Sequence, residues 1–181
     1  MNKLEKLGLK YGTDKIGKHN YLPVYYEMFN PIRNSVKKVL EIGVAEGAGL
    51  RMFRDFFPNA IIFGAENDRN RIFLDPPIQV FYCDQSKEKD IIVLLNKIDP
   101  NHDYRWNAEL DIDIVIDDGS HKPNDQVFTF KQIFPMMKKG SIYIIEDVAK
   151  DSVAEEIRKH YECDTLRVGK RYDDQLVVLK K

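Results

Sequence analysis

The sequence predicts an α/β fold: a doubly wound, mostly parallel, seven-stranded sheet that ends in an antiparallel hairpin. Three observations carry this prediction. Five short apolar runs, Lys38–Gly43, Ala60–Glu66, Ile78–Asp84, Asp111–Asp118 and Ser141–Asp147, are rich in Ile and Val on both faces, as strands of a helix-covered parallel sheet are. Helical spacing recurs between them: Leu50, Phe53, Phe56 and Phe57 share a face, as do Ile91, Leu94, Leu95 and Ile98, and Val127, Phe130, Phe134 and Met137. After a helix at about 151–161, the strand-like runs Thr165–Val168 and Gln175–Leu179 are separated by Gly169–Asp174, too few residues for a crossover helix, so they pair antiparallel.

Taken in order, residues 1–36 read as an N-terminal helical segment contributing to the active site, and 37–181 as one compact unit. The stretch 67–77 is too polar and proline-bearing for a helix, and Asp75-Pro76-Pro77-Ile78 reads as a rigid turn. The loop 99–107, with His102 and Trp106, reads as surface, and His160 as solvated. Tyr21, Tyr25 and Tyr26 read as core or helix-face residues, whereas His19 is a candidate for lining the site. The 181 residues (21.2 kDa) suffice for one full core, and 43% hydrophobic with 31% charged residues excludes wholesale disorder. No run approaches the roughly 20 apolar residues of a membrane span, and the N-terminus lacks a signal-peptide core. A net charge of −1 provides no global field for nucleic acid or anionic membrane. Cys83 and Cys163 lie far apart without metal-ligand spacing, as expected of thiols in a reducing, cytoplasmic compartment.

Charge is nevertheless uneven. Residues 1–40 carry eight bases against three acids, and residues 81–120 carry ten acids against four bases. The strands themselves finish in acids: Glu41, Glu66, Asp84, Asp117-Asp118 and Glu146-Asp147. In an open α/β sheet ligands bind outside the carboxyl ends of the strands. So many carboxylates on one edge repel each other unless a cation, a hydroxyl-rich ligand or both sit there. The loop Gly43-Val-Ala-Glu-Gly47-Ala-Gly49 opens onto a helix, but its spacing is not the pyrophosphate-binding G-x-G-x-x-G. Glu41 fits an ammonium group, Glu66 two ribose hydroxyls and Asp84 an adenine amino group. An amino acid, a ribose and an adenine in that order describe S-adenosylmethionine, with Gly43, Gly47 and Asp117 completing the expected cofactor contacts.

Five parallel strands with a reversed hairpin is the Rossmann-like arrangement of class I methyltransferases. Val39-Leu-Glu-Ile-Gly43, Phe63-Gly-Ala-Glu66, Cys83-Asp-Gln-Ser86, Ile114-Val-Ile-Asp-Asp-Gly-Ser-His121 and Tyr143-Ile-Ile-Glu-Asp147 together resemble the S-adenosylmethionine-dependent sugar O-methyltransferases of macrolide biosynthesis, the mycinamicin type. Tyr11-Gly-Thr-Asp-Lys15, with His19 and Tyr21, is similar to that family's segment ahead of the sheet, so the resemblance covers roughly residues 10–147. It implies that Asp118, Glu146 and Asp147 bind Mg²⁺ (or Mn²⁺) and that His121 is the base, with Asp118 and His121 forming the catalytic pair. Glu66 stands where the family more often has Asp, a longer reach to the same ribose. The family carries further N-terminal sequence for which this chain has little room. Presentation of the sugar or glycan acceptor therefore falls to a separate domain, a partner chain or a second copy.

The chemistry agrees. A sugar hydroxyl is a poor acid, and a hard divalent ion held by three carboxylates would acidify it beside a His base. The alternatives are a metal-dependent methyltransferase of phenolic acceptors and a non-catalytic cofactor-binding module; a dinucleotide oxidoreductase is disfavoured by the glycine spacing.

Overall fold

β1 (Lys38–Ile42) runs through the middle of the sheet, flanked in parallel by β2 (Ile61–Glu66) and β5 (Ile114–Asp117). β4 (Ile78–Tyr82) continues the parallel set beyond β2, and β6 (Ile142–Ile145) beyond β5. The short connection between the last two strands makes them an antiparallel pair: β8 (Gln175–Lys180) alone reverses direction, lying antiparallel beside β6, and β7 (Asp164–Arg167) lies antiparallel beside β8 at the edge. The computed structural model describes residues 1–100 and 109–181, so His102 and Trp106 lie outside the described residues.

Among the described residues the sheet has eight strands, not seven. The additional strand is β3 (Leu74–Asp75), antiparallel to β4, and the order is β3-β4-β2-β1-β5-β6-β8-β7. Two residues, one of them the exposed Leu74, carry no period that a sequence could display. Asp75-Pro76-Pro77-Ile78 is the turn between β3 and β4.

Helices cover both faces. α1 (Lys3–Tyr11), α2 (Leu22–Phe29) and α3 (Ala48–Phe56) enclose one core, in which Tyr21, Tyr25, Phe29, Phe53, Phe56 and Phe57 are buried. α4 (Glu88–Ile98), α5 (Pro123–Ile133) and α6 (Ser152–Arg158) enclose the other. Each fully buried aromatic contributes roughly 1.5–3 kcal/mol through the apolar surface it removes from water. Of the four residues predicted to continue the fifth helix's face, Phe134 and Met137 fall beyond its end, Phe134 opening a short 3-10 turn.

The N-terminal segment connects this scaffold to the acids at the strand ends. α1 begins in a capping box, with Asn2 Oδ1 accepting from Glu5 N at 2.9 Å and Glu5 Oε2 accepting from Asn2 N at 2.6 Å. It stops at Gly12, whose φ of 69° carries the chain into a loop lying over the sheet edge. α2 comes next, with Pro23 in its first turn. Tyr21 and Tyr25, four residues apart, lie one helical turn from each other, so their hydroxyls reach neighbouring acids at the end of β6.

Candidate active site

The carboxyl ends of β1, β2, β4 and β5 open onto a cleft of about 660 Å³, within the range of small-molecule sites. Glu41, Gly43, Glu66, Asp84, Asp118 and His121 line it. Gly43 has a φ of +81°, and a Cβ there would come within 2.1 Å of the Asp118 carbonyl oxygen, so only glycine lets the loop turn this close to β5. Gly47, at a φ of +77°, is the residue before the first turn of α3. A Cβ at Gly49 would meet the Glu41 carboxylate at 2.5 Å, so that missing side chain is the space Glu41 occupies.

The acids of this half are held by local bonds. Glu66 Oε2 accepts from Val44 N and Ala45 N at 3.2 Å each, and its Oε1 accepts from Asp68 N at 2.9 Å. A carboxylate has about four acceptor sites, so Glu66 keeps capacity for a hydroxyl-bearing ligand. Asp84 Oδ1 accepts from Ser86 N and Oγ, and Oδ2 pairs with Lys87 at 2.9 Å. Hydrogen bonds from Lys87 and Ser86 hold the Asp84 carboxyl below its ordinary value.

The other half is enclosed. Lys15, only 2% exposed, places Nζ 2.6 Å from Asp118 Oδ2, 2.8 Å from Glu146 Oε2 and 3.1 Å from Glu41 Oε1. Burial alone would depress this ammonium, but Asp118, Glu146 and Glu41 more than reverse it, so Lys15 stays charged well above the ordinary lysine range. Burial would likewise raise Asp118, yet Lys15 and His121 hold it down at about 2. Glu41 is pushed up to about 7 by burial despite Lys15, and Glu146 rises through burial and the neighbouring Asp118 charge. The remaining Glu146 oxygen accepts from the Tyr25 hydroxyl, and Asp147 Oδ1 accepts from the Tyr21 hydroxyl. Glu41 Oε2 is buried without a partner.

Asp118, His121 and Asp147 present ligand atoms within 4.8 Å of one another. His121 Nε2 lies 3.1 Å from Asp118 Oδ1, and its Nδ1 lies 3.6 Å from Asp147 Oδ2. The hydrogen bond with Asp118 raises the imidazole pKa. His121 and Asp147 both adopt positive φ, 56° and 52°, a conformation costly for side-chain-bearing residues and concentrated at functional sites. Two carboxylates and an imidazole form a donor set suited to a hard divalent cation.

Of the residues expected on the cofactor, Gly47 and Asp117 do not line the cleft: Gly47 caps α3 with the Phe73 ring against it. Side chains alternate across a strand, so Asp117 faces away from Asp118 and is fully buried beneath the loop. Its Oδ1 accepts from Gln85 Nε2 at 3.0 Å and Gly119 N at 3.3 Å, and burial pushes its carboxyl up to about 7. Glu146 is grouped with Lys15 and Tyr25 and does not join Asp118, His121 and Asp147. His19 is buried behind Asp147, with Nδ1 2.8 Å from Asp174 Oδ1 and 3.6 Å from Asp147 Oδ1, and does not line the cleft. Sequence reasoning assigned no part to Lys15, Gln85 or the Tyr21 and Tyr25 hydroxyls. The signal for the tyrosines was their four-residue spacing; Lys15 stood within the Tyr11–Lys15 motif without a role. Gln85 also binds Thr129 Oγ1 and, through Oε1, Ser120 N, which fixes the loop carrying His121.

Comparison with known proteins identifies what shares this arrangement. The chain is 34% identical over 155 residues to 8-demethyl-8-alpha-L-rhamnosyl tetracenomycin-C 2'-O-methyltransferase of Streptomyces olivaceus, covering 80% of this chain and 37% of that one. This chain is a homologue of sugar O-methyltransferases. It is also 32% identical over 154 residues to Mycinamicin VI 2''-O-methyltransferase of Micromonospora griseorubida, with 80% and 36% covered. The chain thus spans little more than a third of the length of these curated sugar O-methyltransferases. Among solved structures, a MycE methyltransferase from the mycinamycin biosynthetic pathway, in complex with Mg and SAH, matches 99% of this chain and 54% of that one at 25% identity and a TM-score of 0.75. An O-methyltransferase from Bacillus cereus, 14% identical with a TM-score of 0.59, shares the fold alone. No protein-family model matches the chain.

Proposed function

We propose that this chain transfers a methyl group from S-adenosylmethionine to a sugar hydroxyl, with a divalent cation at the end of β5 and β6. The observation that carries the reading is the joining of two unlike sites at one sheet edge. A cleft holding the unpartnered Glu41 Oε2 adjoins the Asp118, His121 and Asp147 cluster. The sugar O-methyltransferase relatives, and the solved relative bound to Mg and SAH, support it.

In this reading Glu41 Oε2 accepts from the cofactor's ammonium, Glu66 accepts from its ribose hydroxyls, and Asp84 faces its adenine. Asp118 and Asp147 would hold the cation, while Glu146, engaged by Lys15 and Tyr25, orients the set. When bound, Mg²⁺ or Mn²⁺ lowers the pKa of the acceptor hydroxyl and orients it, while S-adenosylmethionine carries the methyl group on a good leaving group. His121 donates from Nε2 to Asp118 Oδ1, which leaves the Nδ1 lone pair to take the acceptor's proton. The protonated ring then lies between Asp118 and Asp147, two carboxylates that stabilise its charge.

One observation favours a second reading of His121 alone. Its ring lies within the Asp118 and Asp147 ligand distance while Glu146 is engaged by Lys15 and Tyr25, as a third cation ligand would. Titration of His121→Ala with Mn²⁺ separates the two roles: a base leaves Mn²⁺ affinity intact, a ligand does not. The function itself is tested with labelled S-adenosylmethionine and a panel of glycosides and catechols, with and without chelator. Methylation of glycosides that stops in chelator and returns with Mg²⁺ supports the reading; methylation of catechols alone replaces the acceptor class.

A further inference from the structure

We propose that Lys15 is a positioning residue shared by the cofactor cleft and the cation site. The inference rests on the reading given under Proposed function and adds to it a residue outside the strand-end motifs. A lysine ammonium has three donors, and here each finds a different carboxylate: Asp118, Glu146 and Glu41, at 2.6, 2.8 and 3.1 Å. Lys15 takes one oxygen from each acid and thereby sets the direction of the other. Glu41 is left with Oε2 unpartnered at the cleft, Asp118 with Oδ1 toward His121, and Glu146 with Oε1 on the Tyr25 hydroxyl.

The three acids come from β1, from the residue after β5 and from the residue after β6, so one side chain fixes the relative placement of three strand ends. The loop that carries Lys15 is itself fixed. Gly12 ends α1, Lys15 O accepts from Tyr21 N at 3.1 Å, and the Tyr11 hydroxyl binds Asp55 and Arg54 on α3. A purely structural ion cluster would pin the N-terminal segment to the sheet and nothing more. A positioning residue must also set how tightly both ligands are held.

Calorimetry with S-adenosylhomocysteine and Mn²⁺ titration by electron paramagnetic resonance on the full chain distinguish these. In Lys15→Met both affinities should fall by about 10-fold or more, the loss typical of removing groups that orient ligands. Tyr11→Phe loosens the same segment without touching the acids; it should melt lower yet keep both affinities within twofold. A Lys15→Met chain that binds both ligands within twofold of the unmodified chain, or loses only one, overturns the proposal. If Lys15→Met does not fold, the ¹⁵Nζ resonance of Lys15 in the unmodified chain decides. It should shift on saturation with S-adenosylhomocysteine alone and with Mg²⁺ alone, and a resonance indifferent to both overturns the proposal. An unmodified chain that binds neither ligand removes the functional reading as well.

Discussion

The two halves of the sheet edge treat the same residue type in opposite ways. On the β2 and β4 side, Glu66 and Asp84 are held by neighbouring backbone N–H groups and short-range side chains, and they face an open cleft. On the β5 and β6 side, Glu146 and Asp147 are buried and held by Lys15, Tyr25 and Tyr21, which come from more than 120 residues away in sequence. Acids that face an open cleft singly need only local bonds. Buried acids gathered at one point need a counter-charge, since buried like charges are otherwise too costly. Lys15, in the N-terminal segment, supplies that counter-charge to Asp118 and Glu146.

The comparison breaks most visibly at His121, which adjoins the enclosed acids yet lines the open cleft. His121→Ala should lower kcat by about 10²–10⁴-fold, the usual contribution of a positioned base, while leaving S-adenosylhomocysteine affinity unchanged. Steady-state rates beside calorimetry check this; a variant within threefold of the unmodified rate removes His121 from proton transfer.

The next effect lies within the enclosed half. Asp118→Asn should weaken Mn²⁺ binding on the order of 100-fold. Glu146→Gln should cost nearer 10-fold, because Glu146 stands outside the Asp118, His121 and Asp147 group and orienting groups contribute less than ligands. Equal losses in the two Mn²⁺ titrations would place Glu146 among the ligands.

The halves also differed in how much of them the sequence displayed. Five parallel strands, three helical faces and the reversed hairpin follow from apolar runs and spacings that any chain must show to bury two faces of a sheet. Glu41, Glu66, Asp84 and Asp118 were legible because strand ends mark the edge where ligands bind. What packs against Glu146 was not legible. The Lys15 ion pairs join residues 103 and 131 positions apart, and no local pattern encodes such a meeting. The same limit explains Asp117: adjacent letters at a strand end read alike, and only the pleat decides which one faces the site. β3 escaped because two residues carry no period.

A smaller effect concerns the joint that carries the N-terminal segment. Although burial opposes it, Lys10, Tyr11 and Arg54 hold the Asp55 carboxyl well below the ordinary range. A depressed carboxyl contributes stability above its unfolded value of about 3.9 and loses it as pH falls toward the folded value. Melting curves of the unmodified chain and Asp55→Asn should therefore differ by a constant amount from pH 5 to 8, with the gap closing below about pH 4. A gap that is unchanged at pH 3 would mean that packing, not charge, joins α1 to α3.

The division of the sheet edge is tested most directly by titrating S-adenosylhomocysteine and Mn²⁺ against two variants, one from each half. Glu66→Ala should weaken S-adenosylhomocysteine by about 1.5–3 kcal/mol, the value of hydrogen bonds to a charged group, and leave Mn²⁺ unaffected. Asp147→Asn should weaken Mn²⁺ and leave S-adenosylhomocysteine within threefold of the unmodified chain. If either variant weakens both ligands alike, or neither variant weakens its own, the two halves are not the separate cofactor and cation sites described.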